Sequence, residues 1–263
     1  VYAESARQKV ARELDIACRD VGFFYLKGHN VPQDMCELVL KLGYEFFLLP
    51  NEEKNKLSIA NEDFARGYQR LGENVTRYLK DWHEAVDYYK PVSPNHPLVI
   101  NNLPLRGKNQ WPTNPSEFRS VFEQYIEHMK SLGAKVMSAI AIGLGLEHDH
   151  FVKFMDDSFW VMRVIGYPPL SNANGVDRVK HSCGEHTGAL QVKTKGGDWI
   201  SVDPIPNTFV VNIGDMLNPN FDAKIEPLAK CLEVDPISHY EGVVYGEHLL
   251  SKVSNNFEVT KIN

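Results

Sequence analysis

Between Phe118 and Ile140 the large apolar residues fall at steps of three and four: Phe118, Phe122, Tyr125, Met129, Leu132, Val136 and Ile140. That spacing lays them along one stripe of an α-helix, and such a stripe must be buried against something broad and flat. Asn114-Pro115, just ahead, offers a capping side chain and a proline, so the helix is expected to open there. Near residue 158 the period changes. Phe159-Trp160-Val161-Met162-Arg163-Val164-Ile165 reads as a buried strand closed by Tyr167-Pro168-Pro169. Leu190–Lys193 and Trp199–Val202 flank Lys195-Gly196-Gly197-Asp198, a hairpin signal. Thr208–Ile213 is β-branched and apolar and stops at Gly214-Asp215. Helices first and short strands later predict an α+β protein, a β-sandwich or barrel braced by helices.

Upstream, Ala6, Val10, Leu14 and Ala17 give one apolar face over roughly residues 3–20. Gly22 breaks that helix, and Phe23-Phe24-Tyr25-Leu26 is a short strand ending at Gly28. A second helix is expected from Pro32, through Met35, Leu38, Val39, Leu42 and Phe46, to a stop at Pro50. The stretch that follows is polar with little periodicity. His248–Val253 reads as a closing helix. Asn95-His96-Pro97 and Ser171–Gly175 are the best loop candidates.

Composition limits the partners. The chain has 28 Lys+Arg against 34 Asp+Glu, a net charge of −6, and 43% hydrophobic residues over 263 positions. Nucleic acid and anionic membrane both call for a basic face, so neither is an expected partner. No apolar run approaches the roughly 18 residues that cross a bilayer. Val1–Ser5 has no basic stretch followed by an apolar one, so a secretory leader is not expected. Cys18, Cys36, Cys183 and Cys231 are widely spaced without a Cys-x-x-Cys pair, and read as reduced thiols of a cytoplasmic protein.

Most of the ten histidines take the plain structural reading. His148-Asp149-His150 sits where the long helix ends, and a solvated helix terminus explains it better than a metal. His83-Glu84 lacks the second histidine of a zinc-protease helix. His29, His96, His128, His239 and His248 are isolated. His186 stands apart, because His181-Ser182-Cys183-Gly184-Glu185-His186-Thr187-Gly188 leads from a loop into the strand Ala189–Val192. On a strand, positions i and i+2 face one way, so His-x-Asp or His-x-Glu aims two ligands at one metal. A distant histidine would complete the two-His-one-carboxylate triad of non-haem iron oxygenases. Here the i+2 residue is Gly188, which offers no ligand, so His186 remains a candidate ligand beside an ordinary loop histidine. Neither a Gly-x-Ser-x-Gly elbow nor a phosphate-cradling glycine loop occurs.

Several runs in one order resemble the 2-oxoglutarate/Fe(II)-dependent dioxygenases of the plant isopenicillin-N-synthase-like group. They are Ala17–His29, Gly67-Tyr68-Gln69-Arg70 through Asp81-Trp82-His83-Glu84-Ala85, Phe159–Pro168, Cys183-Gly184-Glu185-His186-Thr187, Trp199-Ile200-Ser201 to Asn212–Leu217, and Tyr245-Gly246-Glu247-His248. The resemblance implies a double-stranded β-helix (jelly-roll) core, with a helical N-terminal region over residues 1–112. The long bracing helix and the Fe(II)/2-oxoglutarate domain would then occupy 113–263. It further implies hydroxylation of a small metabolite, of the plant hormone or specialised-metabolite kind, with 2-oxoglutarate decarboxylated to succinate by O₂. Ascorbate is the candidate reductant, and the protein is expected to be a monomer. By the same resemblance His186 is an iron ligand and Tyr167 contributes a hydroxyl to the 2-oxoglutarate pocket, with an ordinary core tyrosine as the alternative. The Asn often found two positions before that tyrosine is Ile165 here. Tyr68-Gln69-Arg70 and Trp82-His83 either line the substrate side or pack.

Two junctions depart from the family. Its His-Thr pair is followed by Asp, the second iron ligand, but Thr187 is followed by Gly188-Ala189-Leu190. Gly214-Asp215-Met216-Leu217 should lead to the second iron histidine and an Arg-x-Ser, yet Leu217 joins Asn218-Pro219 directly. Core segments after Thr187/Gly188 and after Leu217 are thus missing from this sequence, which leaves three readings. The full protein contains the segments; or the chain is a shortened, iron-free pseudo-enzyme; or it is an unrelated jelly-roll binding protein. Loss of central strands would bare sheet edges and unpaired backbone groups, which weighs against the second. A family oxidase that uses no 2-oxoglutarate is the runner-up among enzymes.

Overall fold

The computed structural model describes residues 2–61, 66–76, 79–81, 83–93, 95, 107–155, 158–168, 190–194, 196–213, 224–225 and 243–244. In chain order the elements are α1 (Tyr2–Asp20), β1 (Phe23–Lys27), α2 (Gln33–Phe47), α3 (Asn51–Asn55), β2 (Gly67–Gln69), β3 (Val75–Thr76), β4 (Leu79–Lys80) and β5 (Glu84–Tyr89). They continue with α4 (Phe118–Gly143), β6 (Val161–Gly166), β7 (Gln191–Lys193), β8 (Trp199–Ser201), β9 (Thr208–Asn212), β10 (Lys224–Ile225) and β11 (Val243–Val244). Each of these strand pairings is antiparallel. The chain divides into two compact units, residues 1–31, 127–158 and 186–248, and residues 32–126, 159–185 and 249–263.

In the first unit α1 ends as the sequence indicates. Gly22 takes φ +77°, a conformation a side chain disfavours, and its N–H returns to the Ala17 carbonyl at 2.9 Å. The chain then enters β1, which pairs with β9 from Phe23↔Asn212 to Lys27↔Thr208. The hairpin β7/β8 closes through Thr194 and Gly197, as the Gly-Gly signal predicts. His29 is used structurally: its Nδ1 accepts the Val31 N–H at 3.1 Å and its ring lies 4.4 Å from that of Phe209. The closing helix expected at His248–Val253 lies outside the described residues, as does the loop at Ser171–Gly175.

The second unit holds the apolar core of Leu42, Phe46, Tyr68, Val86, Tyr88, Phe118 and Phe122. Leu42 and Phe46 come from the i, i+4 stripe of α2, and Phe118 and Phe122 from that of α4. The rings of Phe118 and Phe122 stack at 4.1 Å, and Phe46 meets Phe118 at 5.7 Å. Helix α4 starts at Phe118, later than expected. The Asn114–Pro115 bond is cis, and residues 115–117 form a turn in which the Phe118 N–H reaches the Pro115 carbonyl. The other departure is larger. The stretch read as polar and aperiodic contains β2 and β5, and all six residues of β5 are buried. A strand covered on both faces has no polar side to alternate with, so its period-two signal vanishes.

Candidate functional site

Strand β5 lies between β2 and β6, and residues directly opposite one another share a sheet face. The register sets Val86 between Tyr68 and Val164, and Tyr88 opposite Met162, so with Glu84 these occupy the face turned to the apolar core. Glu84 is tolerated there because its charge is matched. Lys54 Nζ reaches Glu84 Oε2 at 2.7 Å and also donates to the Phe47 carbonyl at 3.0 Å. The Tyr68 hydroxyl donates to the same carboxylate oxygen at 2.5 Å. Burial, and then that carboxylate, push the Tyr68 hydroxyl well above its usual range, so it stays a donor and is no nucleophile. Each member has its partner, and the trio is a buried cross-link between α3, β2 and β5.

The opposite face carries Gln69, Ala85, Asp87, Arg163 and Ile165. Asp87 is 1% exposed and stands directly across from Arg163, which binds it in bidentate fashion, Nε to Oδ1 at 2.7 Å and a terminal nitrogen to Oδ2 at 2.6 Å. Gln69 Nε2 donates to Oδ2 at 2.6 Å. The hydrogen bond to Asp87 raises the Arg163 pKa further. Two residues on from Ile165 the same face reaches Tyr167, and two residues before Ala85 it reaches His83. Their rings meet edge to face at 5.7 Å. Tyr167 is 57% exposed, whereas His83 Nε2 is buried with no hydrogen-bond partner among the described residues. Burial lowers the His83 pKa; Asp81 and Asp87 oppose that shift and Arg163 adds to it.

Of the expected site residues, Tyr167 is thus a surface-reaching tyrosine at the end of β6. His186, Thr187, Gly188, Leu217 and Trp82 lie outside the described residues. Tyr68 and Gln69 pack and hydrogen-bond within the sheet, and Arg70 pairs with Glu73 on the surface. The residues after α4 that include His148, Asp149 and His150 form backbone turns, and among the described residues no group of three His, Cys, Asp or Glu side chains could hold a metal. Sequence reasoning missed two polar networks, Glu84 with Lys54 on one face of the sheet and Asp87 with Arg163 on the other. The available signal was Glu84 and Asp87 three apart in an otherwise apolar run, which puts them on opposite strand faces, each needing a buried partner.

A model described as the N-terminal region of the non-haem dioxygenase in morphine synthesis matches residues 2–114, and one described as the 2OG-Fe(II) oxygenase superfamily matches residues 179–226. Homoarginine-6-hydroxylase 2-ODD-C23.1 of Arabidopsis thaliana is 38% identical over 95% of this chain and 90% of its own length. The rice homoarginine-6-hydroxylase 2-ODD-233 is 38% identical with the same shares. Among solved structures, a 2OG-Fe(II) oxygenase family protein from Caulobacter crescentus superposes with TM-score 0.78 at 23% identity, covering 97% of this chain and 96% of that one. A full-length Neurospora crassa protein, solved in complex with alpha-KG, gives 0.76 at 24%, covering 96% and 92%. The Arabidopsis alignment runs over 299 positions, whereas 95% of 263 residues is about 250. The difference, 299 − 250, leaves about 49 positions of that relative without a counterpart within this chain.

Proposed function

The chain belongs to the 2-oxoglutarate/Fe(II)-dependent dioxygenases, and from that premise we propose that it hydroxylates a basic amino acid of the homoarginine type. It is an oxidoreductase that acts on a small metabolite with 2-oxoglutarate, and its fold is the jelly-roll fold of these oxygenases, built of antiparallel sheets and helices. Fe(II) and 2-oxoglutarate are the family's cofactor and cosubstrate. When bound, they couple O₂ reduction and decarboxylation of 2-oxoglutarate to insertion of oxygen into substrate.

In our reading the sequence does not complete an iron site: His186 is one ligand, but Gly188 stands where the carboxylate belongs, and the segment expected to carry the second histidine is skipped after Leu217. We place the missing ligands in the segments that relatives carry and this sequence lacks, so no step is derived through the metal. The chain's own contribution is binding and orientation. Tyr167 offers its hydroxyl to 2-oxoglutarate at the exposed end of β6, and the Asp87–Arg163–Gln69 network fixes that strand in register. We keep residues 1–112 as an N-terminal region and 113–263 as the long helix with the Fe(II)/2-oxoglutarate domain. We further assign it to the cytoplasm, as a monomer; no described helix is long and apolar enough to cross a membrane.

The observation that carries the substrate assignment is 38% identity along 90% of a homoarginine hydroxylase. Incubation of the natural protein with Fe(II), 2-oxoglutarate and homoarginine should yield succinate and a product heavier by one oxygen atom. Succinate without oxygenated homoarginine would sink the substrate. Gly188 favours a second reading, an iron-free binding protein, and in that case no succinate forms with any amino acid.

A further inference from the structure

Resting on that reading, we propose that His83 reads the organic substrate. Its neutral imidazole accepts, at Nε2, a hydrogen bond from an N–H of the basic amino acid lying beside Tyr167. The two buried carboxylates of the neighbouring strand β5 are committed. Asp87 is held by Arg163 and Gln69, and Glu84 by Lys54 and Tyr68. His83 Nε2 is buried yet paired with nothing among the described residues, although its ring touches Tyr167. A buried nitrogen without a partner is a cost the folded chain bears for no structural return, and such costs gather where a ligand supplies the missing bond. A second example lies close along the chain. Both side-chain polar atoms of Asn74 are buried and unpartnered among the described residues, and its carbonyl accepts the Asp81 N–H at 2.9 Å, two residues before His83.

The polarity of the bond follows from the surroundings. Burial keeps the imidazole neutral, and a neutral imidazole has one nitrogen that accepts. Among the described residues, the charged and titratable groups that face it are Asp81, Asp87, Arg163 and Tyr167. An accepting nitrogen takes an N–H donor and disfavours an anion's lone pairs, which suits the ammonium or guanidinium of a basic amino acid.

Homoarginine is the probe. Its binding to the natural protein, measured calorimetrically, should weaken tenfold or more in His83→Phe and recover in part in His83→Gln. The affinity for 2-oxoglutarate should stay within twofold, and the melting temperature of His83→Phe should be unchanged or higher. Acidification through the His83 pKa, below 6.5, should weaken homoarginine binding by wild type but not by His83→Gln. The His83 ring-nitrogen resonances should shift on adding homoarginine, with or without iron. Undiminished binding by His83→Phe, a fall in its melting temperature with loss of both ligands, affinity that rises on acidification, or resonances that do not move would each overturn the proposal. Wild type that releases no succinate while His83 still responds to homoarginine would count against the catalytic reading and leave this one standing.

Discussion

Asp87 is accommodated inside the sheet because the register places Arg163 directly across from it and Gln69 beside it. Deleting one member strands the others. Arg163→Ala leaves a carboxylate buried and unpaired, and should cost about 3–5 kcal/mol of unfolding free energy in urea titration. Replacing a surface partner such as Arg70 should cost about 0–1 kcal/mol by the same measurement. His83 predicts a pH dependence of the opposite kind to a histidine held in an ion pair. Its folded pKa lies below the ordinary value of 6.5, so the unfolded chain takes up a proton first as pH falls. The folded state carries no proton-linked penalty at His83 above about pH 6.5, and the penalty grows on acidification down through the folded pKa. Thermal melts from pH 8 to pH 5 should therefore show wild type losing stability relative to His83→Gln toward acid. A wild type that gained stability on His83→Gln toward acid would contradict burial as the cause.

The elements differ in how openly the sequence announces them. Helix α4 shows its stripe because one face stays wet, and Gly22 and the Gly196-Gly197 turn declare their positions through the conformations they take. Strand β5 hides, being covered on both sides, and the helix start at Phe118 could not be placed from Asn114-Pro115 because that proline precedes a turn. The core seam carried by α4 should be costly to cut: Phe122, 1% exposed, replaced by Ala should lose about 3–5 kcal/mol in denaturant titration. Gly143 gives a test of sign. Alanine is the better helix former by about 1 kcal/mol, yet a Cβ at Gly143 would lie 2.8 Å from the Ala11 carbonyl oxygen and 3.1 Å from Asp15 Cβ. Because backbone of α1 cannot yield as a side chain does, Gly143→Ala should lower the melting temperature. A rise would show that the two helices separate freely there.

At the scale of the whole molecule, the family relation and the two junctions belong together. A relative with about 49 positions that this chain skips, and a ligand pattern that fails at Gly188 and at Leu217, predict that the natural protein is heavier than the 29.9 kDa of this sequence by intact-mass measurement. Agreement with 29.9 kDa would favour the iron-free reading. The sequence by itself determined the family, the cosubstrate class, the long helix and the β1, β7/β8 and β9 strands, since these are carried by local runs whose periodicity or motif survives without neighbours. It could single out Tyr167 and His83 only as residues in matching runs. Their meeting, and the framework of Asp87, Arg163 and Gln69 beneath them, came from the antiparallel register of β2, β5 and β6. That register brings together residues up to 94 positions apart and depends on which faces are buried, a property no single strand contains.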